Sequence, residues 1–132
     1  FALTAQVGDS RVYLVRDGRA AQITEDHTLI AWQLKKGLIT PEEARVSRQK
    51  NVITRAVGSR DYVQVDTNAV PVFPGDGFLL CTDGLHGYVD DREIAMLMQL
   101  GPDDASDQLV DLANQRGGRD NITSIAVSLV AD

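Results

Sequence analysis

The stretch Pro74-Gly75-Asp76-Gly77-Phe78-Leu79-Leu80-Cys81-Thr82-Asp83-Gly84-Leu85 decides the fold. It opens on a Pro-Gly-Asp-Gly turn signature, continues through four apolar residues and breaks at Asp83-Gly84. A short apolar run between turn residues reads as a strand buried on both faces, here 78–81. Working toward the N-terminus, Leu3, Ala5 and Val7 alternate with polar residues, the pattern of a half-buried strand that Gly8-Asp9-Ser10 interrupts. Val12 to Val15 resume it. Asp17-Gly18 then reads as a tight hairpin turn, with 20–23 returning. Asp26 or Thr28 caps a short helix whose Ile30 and Leu34 share a face, stopped at Gly37. Thr40-Pro41-Glu42-Glu43 combines an N-cap, a first-turn proline and a glutamate three residues on, so a second short helix follows. The runs 51–57 and 63–72 look like strands.

Toward the C-terminus, Asp90 and Glu93 form another capping pair ahead of Ile94, Leu97 and Met98. Gly101-Pro102 ends that helix and starts one whose buried face is Leu109, Leu112 and Ala113. Gly117-Gly118 terminates it, and 121–130 reads as a long closing strand. Strands early and late with helices between indicate an α+β sandwich. Trp32, Met96 and Met98 fall at helical spacing among apolar residues and are expected in the core.

The chain has 132 residues, 43% of them hydrophobic and 24% charged, which fits one globular domain and excludes wholesale disorder. A net charge of −6 argues against a nucleic-acid binder, which needs a basic face for phosphates. A lone cysteine, Cys81, excludes an internal disulfide framework, and its apolar neighbours predict a buried thiol. No apolar stretch approaches the roughly 20 residues of a membrane span, and no signal peptide is visible. No membrane contact is therefore expected of this segment, and a cytoplasmic setting is the default. The strand-like opening at Phe1, without an initiator methionine, leads us to expect a piece of a longer protein.

Three aspartates stand out by position. Asp9 sits at the break in the first strand pattern, Asp83 directly follows the buried strand, and Asp120 directly precedes the last one. Strand ends are where side chains distant in sequence converge. Converging carboxylates repel unless a cation offsets them, and hard oxygen ligands suit Mg²⁺ or Mn²⁺. Asp-Gly and Asp-Asn pairs are equally ordinary turn chemistry, so both readings stand. His27 and His86 each have the chemistry of a general acid and each suit packing as well. Arg11 is placed to meet either a phosphate or a nearby carboxylate. Lys35-Lys36 and Asp103-Asp104 read as solvated faces.

Five motifs occur in order: Val7-Gly8-Asp9-Ser10-Arg11; Thr24-Glu25-Asp26-His27-Thr28; Asn51-Val52-Ile53-Thr54-Arg55-Ala56-Val57-Gly58; Pro74-Gly75-Asp76 with Leu80-Cys81-Thr82-Asp83-Gly84-Leu85; and Asp120-Asn121-Ile122-Thr123. The series resembles the bacterial form of the metal-dependent protein serine/threonine phosphatases, the protein phosphatase 2C family. The resemblance implies two antiparallel sheets packed face to face between layers of helices. It implies hydrolysis of phosphoserine and phosphothreonine in phosphorylated proteins by a water that bridges two Mn²⁺ or Mg²⁺ ions. Asp83 matches the aspartate that binds the first metal and faces an optional third, Asp120 another ligand of the first metal, and Asp9 the aspartate that reaches the third. Residues 29–50 match the flap beside the active site.

The departures matter as much. The family's N-terminal motifs, with the bridging Asp-Gly aspartate, another acidic ligand, the phosphate-binding arginine and a proposed histidine acid, have no counterpart here. Residues 1–132 therefore read as a single partial phosphatase domain, an incomplete α/β/β/α sandwich to which no catalytic residue is assigned. Gly87 replaces an acidic or amide residue common in relatives, which bears on the third metal. Thr82 stands for the commoner serine. Two readings follow: part of a working phosphatase whose isolated 132-residue piece is inactive, or a non-catalytic binding or regulatory domain of the same fold. Missing strands would leave open edges and apolar faces, so self-association of the truncated chain is expected.

Overall fold

The computed structural model describes residues 1–132. In chain order the elements are β1 (Ala2–Gln6), β2 (Arg11–Arg16), β3 (Arg19–Gln22), α1 (Leu29–Lys35), α2 (Pro41–Val46), β4 (Asp66–Val70), β5 (Gly77–Cys81), α3 (Asp83–His86), α4 (Asp91–Met98), α5 (Pro102–Gln115) and β6 (Ser124–Ser128). β1 and β4 form a two-stranded sheet, and the remaining strands form a four-stranded sheet in the order β3-β2-β5-β6. Every pairing is antiparallel. This is the mixed α+β architecture expected.

Local chemistry explains the elements. Asp17 and Gly18 both take positive φ, 52° and 73°, the conformation a two-residue hairpin loop requires between β2 and β3. Both anticipated capping boxes form. Thr40 Oγ1 accepts the Glu43 N–H at 3.1 Å while Glu43 Oε1 accepts the Thr40 N–H at 3.2 Å. Asp90 and Glu93 repeat the exchange at 2.9 and 3.2 Å. Thr28, rather than Asp26, caps α1, its hydroxyl accepting from Ala31 N–H.

The core lies between one face of the four-stranded sheet and the helices. Tyr13 and Val15 of β2 and Leu79 and Cys81 of β5 meet Leu85, Val89, Ile94, Ala95 and Met98, and Ala105, Leu109 and Ala113 of α5. The spacing of 105, 109 and 113 is the four-residue repeat of one helix face. Each large apolar side chain buried here stabilises the fold by about 1.5–3 kcal/mol. Cys81 is buried as expected, and burial pushes its thiol up to about 12, so it is inert as a nucleophile at neutral pH.

Several expectations need correction. The run 51–57 is not a strand: it holds only an isolated bridge between Ile53 and Thr28. Within 63–72 only Asp66–Val70 pairs, and within 121–130 only Ser124–Ser128 does. The run 78–81 is not buried throughout, because Leu80 is 39% exposed on the sheet face turned away from the helices. In β1 the inward positions are Ala2, Thr4 and Gln6, whereas Leu3 and Ala5 point outward. Trp32 and Met96 are 50% and 61% exposed; of the three residues expected in the core, only Met98 is there. Helical spacing identified the helices but not which face meets the sheet. The short helix α3 follows the buried strand where only a turn was expected.

Candidate functional site

Asp9, Asp83 and Asp120, drawn from three distant parts of the chain, line one cleft of about 790 Å³. Its other walls include Arg11, Asp26, His86, Arg45, Lys50 and Arg119. Each aspartate is delivered by a different local device.

Asp9 sits in the turn between β1 and β2, where Gly8 takes φ +107°, a conformation strained for any side-chained residue. The Gly8 N–H donates to His27 Nδ1 at 3.0 Å, and the Gly8 carbonyl accepts from His27 N–H at 2.9 Å and Gln6 Nε2 at 2.7 Å. The Asp9 carbonyl accepts from His86 Nε2 at 2.8 Å. Asp83 is the first residue of α3, immediately beyond β5. Asp120 lies just ahead of β6, its Oδ1 accepting from Asn121 N–H at 2.7 Å. The last two are brought together by Gly84: a Cβ there would lie well inside contact distance of the Asn121 carbonyl oxygen, 3.0 Å from its carbon and 3.3 Å from Ile122 Cγ1. Thr82 ties the same two segments, its N–H donating to the Thr123 carbonyl at 3.2 Å and its hydroxyl accepting from Thr123 N–H at 3.1 Å.

The electrostatics follow from this convergence. Burial raises the carboxyl of Asp83 above the usual carboxylate range, and the charges of Asp9 and Asp120 raise it further. Burial, and then the Arg11 guanidinium, push His86 below the ordinary imidazole value. Arg11 is not free to take a phosphate: it holds Asp26 through Nε at 2.9 Å and Nη2 at 2.6 Å, the carboxylate pairing that was one of its two expected roles. Both histidine rings are hydrogen-bonded, His27 to the Gly8 N–H and Asp66 and His86 to the Asp9 carbonyl, and His27 is 5% exposed. The basic residues Arg45, Lys50 and Arg119 were not foreseen as part of the site. The adjacency of Arg119 to Asp120, and the place of Arg45 and Lys50 within the flap segment 29–50, are the signals the sequence carries for them.

Residues 2–122 match the family described as "Protein phosphatase 2C". The chain belongs to the protein phosphatase 2C family. It is 41% identical over 130 residues to protein phosphatase PhpP of Streptococcus pneumoniae, covering 97% of this chain and 53% of that protein. It is 39% identical over 125 residues to serine/threonine phosphatase stp of Listeria monocytogenes, covering 93% of this chain and 50% of that protein. Among solved structures, the serine/threonine phosphatase of S. agalactiae superimposes with a TM-score of 0.90 at 37% identity, over 98% of this chain and 54% of that one. The catalytic domain of serine/threonine phosphatase PstP, solved in complex with two manganese ions, superimposes with a TM-score of 0.76 at 34% identity, over 99% of this chain and 56% of that one. The chain spans about half the length of the curated relatives it matches.

The donor set of this protein phosphatase 2C chain fits a hard divalent cation. Beside Asp26, which Arg11 holds, Asp9, Asp83 and Asp120 line one cleft; burial first and then the charges of Asp9 and Asp120 raise Asp83, and that repulsion is what a cation removes. No three Asp, Glu, His or Cys side chains stand close enough to hold an ion by themselves, so further oxygen ligands are needed to complete a centre. No helix is long and apolar enough to cross a membrane.

Proposed function

We propose that residues 1–132 are one part of a single phosphatase domain that hydrolyses phosphoserine and phosphothreonine in phosphorylated proteins. The observation that carries this reading is the convergence of Asp9, Asp83 and Asp120 on one cleft, with Asp83 raised by burial and by the other two carboxylates. Asp83 and Asp120 would hold the first of two Mn²⁺ or Mg²⁺ ions, and Asp9 and Asp83 would serve a third. Bound there, such ions supply an acidified water as nucleophile and neutralise charge on the phosphoryl group. The chain's own residues do the rest. The carboxylates orient the centre, and Gly84 sets the distance between the two segments that bear Asp83 and Asp120. Arg45, Lys50 and Arg119 line the same cleft as cations able to attract an anionic phosphopeptide. His86 donates to the Asp9 carbonyl and so holds the turn rather than protonating a leaving group.

The ligands that three aspartates leave open are expected from the part of the relatives' length that this chain does not span. On that reading the 132-residue chain alone is inactive. The test is Mn²⁺-dependent phosphate release from a phosphothreonine peptide by the protein at its natural length. Asp83→Asn and Asp120→Asn each abolish turnover. Mn²⁺ binding without turnover would favour a non-catalytic domain of the same fold, and full activity of the 132-residue chain would contradict the need for further ligands.

A further inference from the structure

One residue grips the turn that carries Asp9 from two sides. The backbone N–H of His27 donates to the Gly8 carbonyl at 2.9 Å, and its ring Nδ1 accepts the Gly8 N–H at 3.0 Å. Because Nδ1 accepts, the ring proton sits on Nε2, which donates to Asp66 Oδ2 at 2.7 Å. Asp66 Oδ1 in turn accepts from Arg55 Nη1 at 2.8 Å. These bonds form a continuous line from Arg55 through Asp66 and His27 to Gly8, one residue before Asp9. His27 is buried and does not line the cleft.

We propose that His27 is a positioning residue, oriented by Asp66, that fixes the Gly8-Asp9 turn and thereby aims the Asp9 carboxylate into the cleft. Gly8 at φ +107° has both backbone hydrogen-bonding groups held by His27, and the Asp9 carbonyl is held by His86. A turn pinned at all three points fixes where the Asp9 Cα–Cβ bond starts from. Outer-shell hydrogen bonds of this kind fix the orientation of metal ligands and hence affinity. Asp66 supplies what the ring lacks alone: a partner that selects the tautomer with an unprotonated Nδ1 and stops the ring from turning. The same device joins the segment after the flap to the site, since the His27 carbonyl also accepts from Thr54 N–H at 2.8 Å.

The inference rests on the reading of Asp9 as a metal ligand, and the experiment separates the two. Mn²⁺ is titrated calorimetrically, without substrate, into the protein at its natural length and into four variants. Asp9→Asn loses the weakest Mn²⁺ binding event. His27→Gln places its amide where Nε2 stood, keeps Asp66 and leaves Gly8 without an acceptor, so that event weakens about tenfold. His27→Asn places its carbonyl oxygen where Nδ1 stood, keeps Gly8 and loses Asp66, so the event stays within about threefold of wild type. Melting temperatures without metal fall for both His27 variants, and a purely structural role predicts that affinity follows them. Equal losses for Gln and Asn, or no loss for Gln while Asp9→Asn loses the event, would overturn the proposal. No change in Asp9→Asn would overturn the ligand reading, and the inference with it. If His27→Gln does not fold, Asp66→Asn decides: it frees the ring and weakens the event about threefold, and unchanged binding would count against His27.

Discussion

Arg11 lies edge-on against Asp26, with Nε on Oδ1 at 2.9 Å and Nη2 on Oδ2 at 2.6 Å, while its Nη1 donates to the buried Tyr13 hydroxyl at 2.8 Å. The planar fork thus joins β2 to the segment before α1 and leaves Tyr13, whose hydroxyl burial pushes above its ordinary value, with a partner. A lysine reaches the carboxylate with one point charge and cannot serve both groups. Arg11→Lys is therefore expected to cost about 1–3 kcal/mol in urea unfolding, the range of a charge-assisted bond plus an orphaned partner. Phosphate affinity is expected to be unchanged, because Arg11 is committed to Asp26; a variant with native stability and weakened phosphate binding would reverse that assignment.

Asp76 gives a pH dependence. Arg16 holds it through Nε at 2.9 Å and Nη2 at 2.7 Å, Phe73 N–H adds a bond at 2.8 Å, and the carboxyl is held down to about 2. Its folded pKa is below the unfolded value, so the folded state binds fewer protons. The stability it contributes is present above about pH 4 and is lost as pH falls through about 2. The melting temperature should drop across that window, and Asp76→Asn should lower it at neutral pH and flatten the acid drop. An acid profile identical to wild type in the variant would exclude the pair as its source.

How much of this was legible in the sequence depends on whether the signal is local. The capping residues Thr40 and Asp90 and the Asp17-Gly18 turn act through neighbours three residues away or fewer, and all formed. Asp76 was legible only as a turn residue, because its partner Arg16 is 60 positions away. The run 51–57 has strand composition but finds no partner strand, its long-range backbone bonds going to His27 and Leu29. Leu3 and Ala5 show the same limit: alternation fixes that two faces exist, and the neighbours of β1 decide which is covered. Of the site, the three aspartates were visible at strand ends. His86 was visible as a residue type, and Arg45 and Lys50 only as members of the flap, because their place in the cleft depends on how loops cross.

Asp83 should trade stability for function. Its raised carboxyl means the ionised form is disfavoured in the folded state by burial and by Asp9 and Asp120. Stability of the metal-free protein accordingly declines as pH rises through the carboxylate range. Asp83→Asn removes one repelling charge and is expected to stabilise the metal-free protein by a few tenths to about 1 kcal/mol, after allowance for solvent screening. Saturating Mn²⁺ should reverse the order: at about 100 times the dissociation constant, wild type gains about 2.7 kcal/mol and the variant little. Thermal melts with and without Mn²⁺ check both signs, and a variant less stable than wild type without metal would refute the repulsion.

The 132-residue chain on its own is expected to self-associate. Leu80 and Ile125 are direct cross-strand partners on the outer face of the four-stranded sheet, Val127 lies beside them, and all three are substantially exposed; Leu3 on β1 and Phe1 just before it are exposed as well. Contiguous apolar surface on strands with open edges pairs with whatever offers the same. Sedimentation at micromolar concentration should show dimers or larger species, and Leu80→Ser with Ile125→Thr should shift them toward monomer. A clean monomer from the unaltered chain would contradict the expectation.

Gly84 offers the sharpest test of how the site is assembled. The backbone of α3 passes so close to the Asn121 carbonyl that a single methyl group would overlap it, with Ile122 Cγ1 closing the other side at 3.3 Å. The obstacle is backbone rather than a side-chain tip that can swing away, so Gly84→Ala has to be relieved by moving the Asn121 segment. That movement separates Asp83 from Asp120, because each is covalently next to one of the clashing residues. Overpacking of this sort costs about 1–3 kcal/mol, readable as a lower urea midpoint at unchanged slope. The Mn²⁺ affinity should fall further than the stability does, since the displacement falls on the ligand-bearing segments while the core of Leu79, Ile94 and Leu109 is untouched. Native stability together with native Mn²⁺ affinity in Gly84→Ala would mean that the close approach does not set the spacing of the two carboxylates.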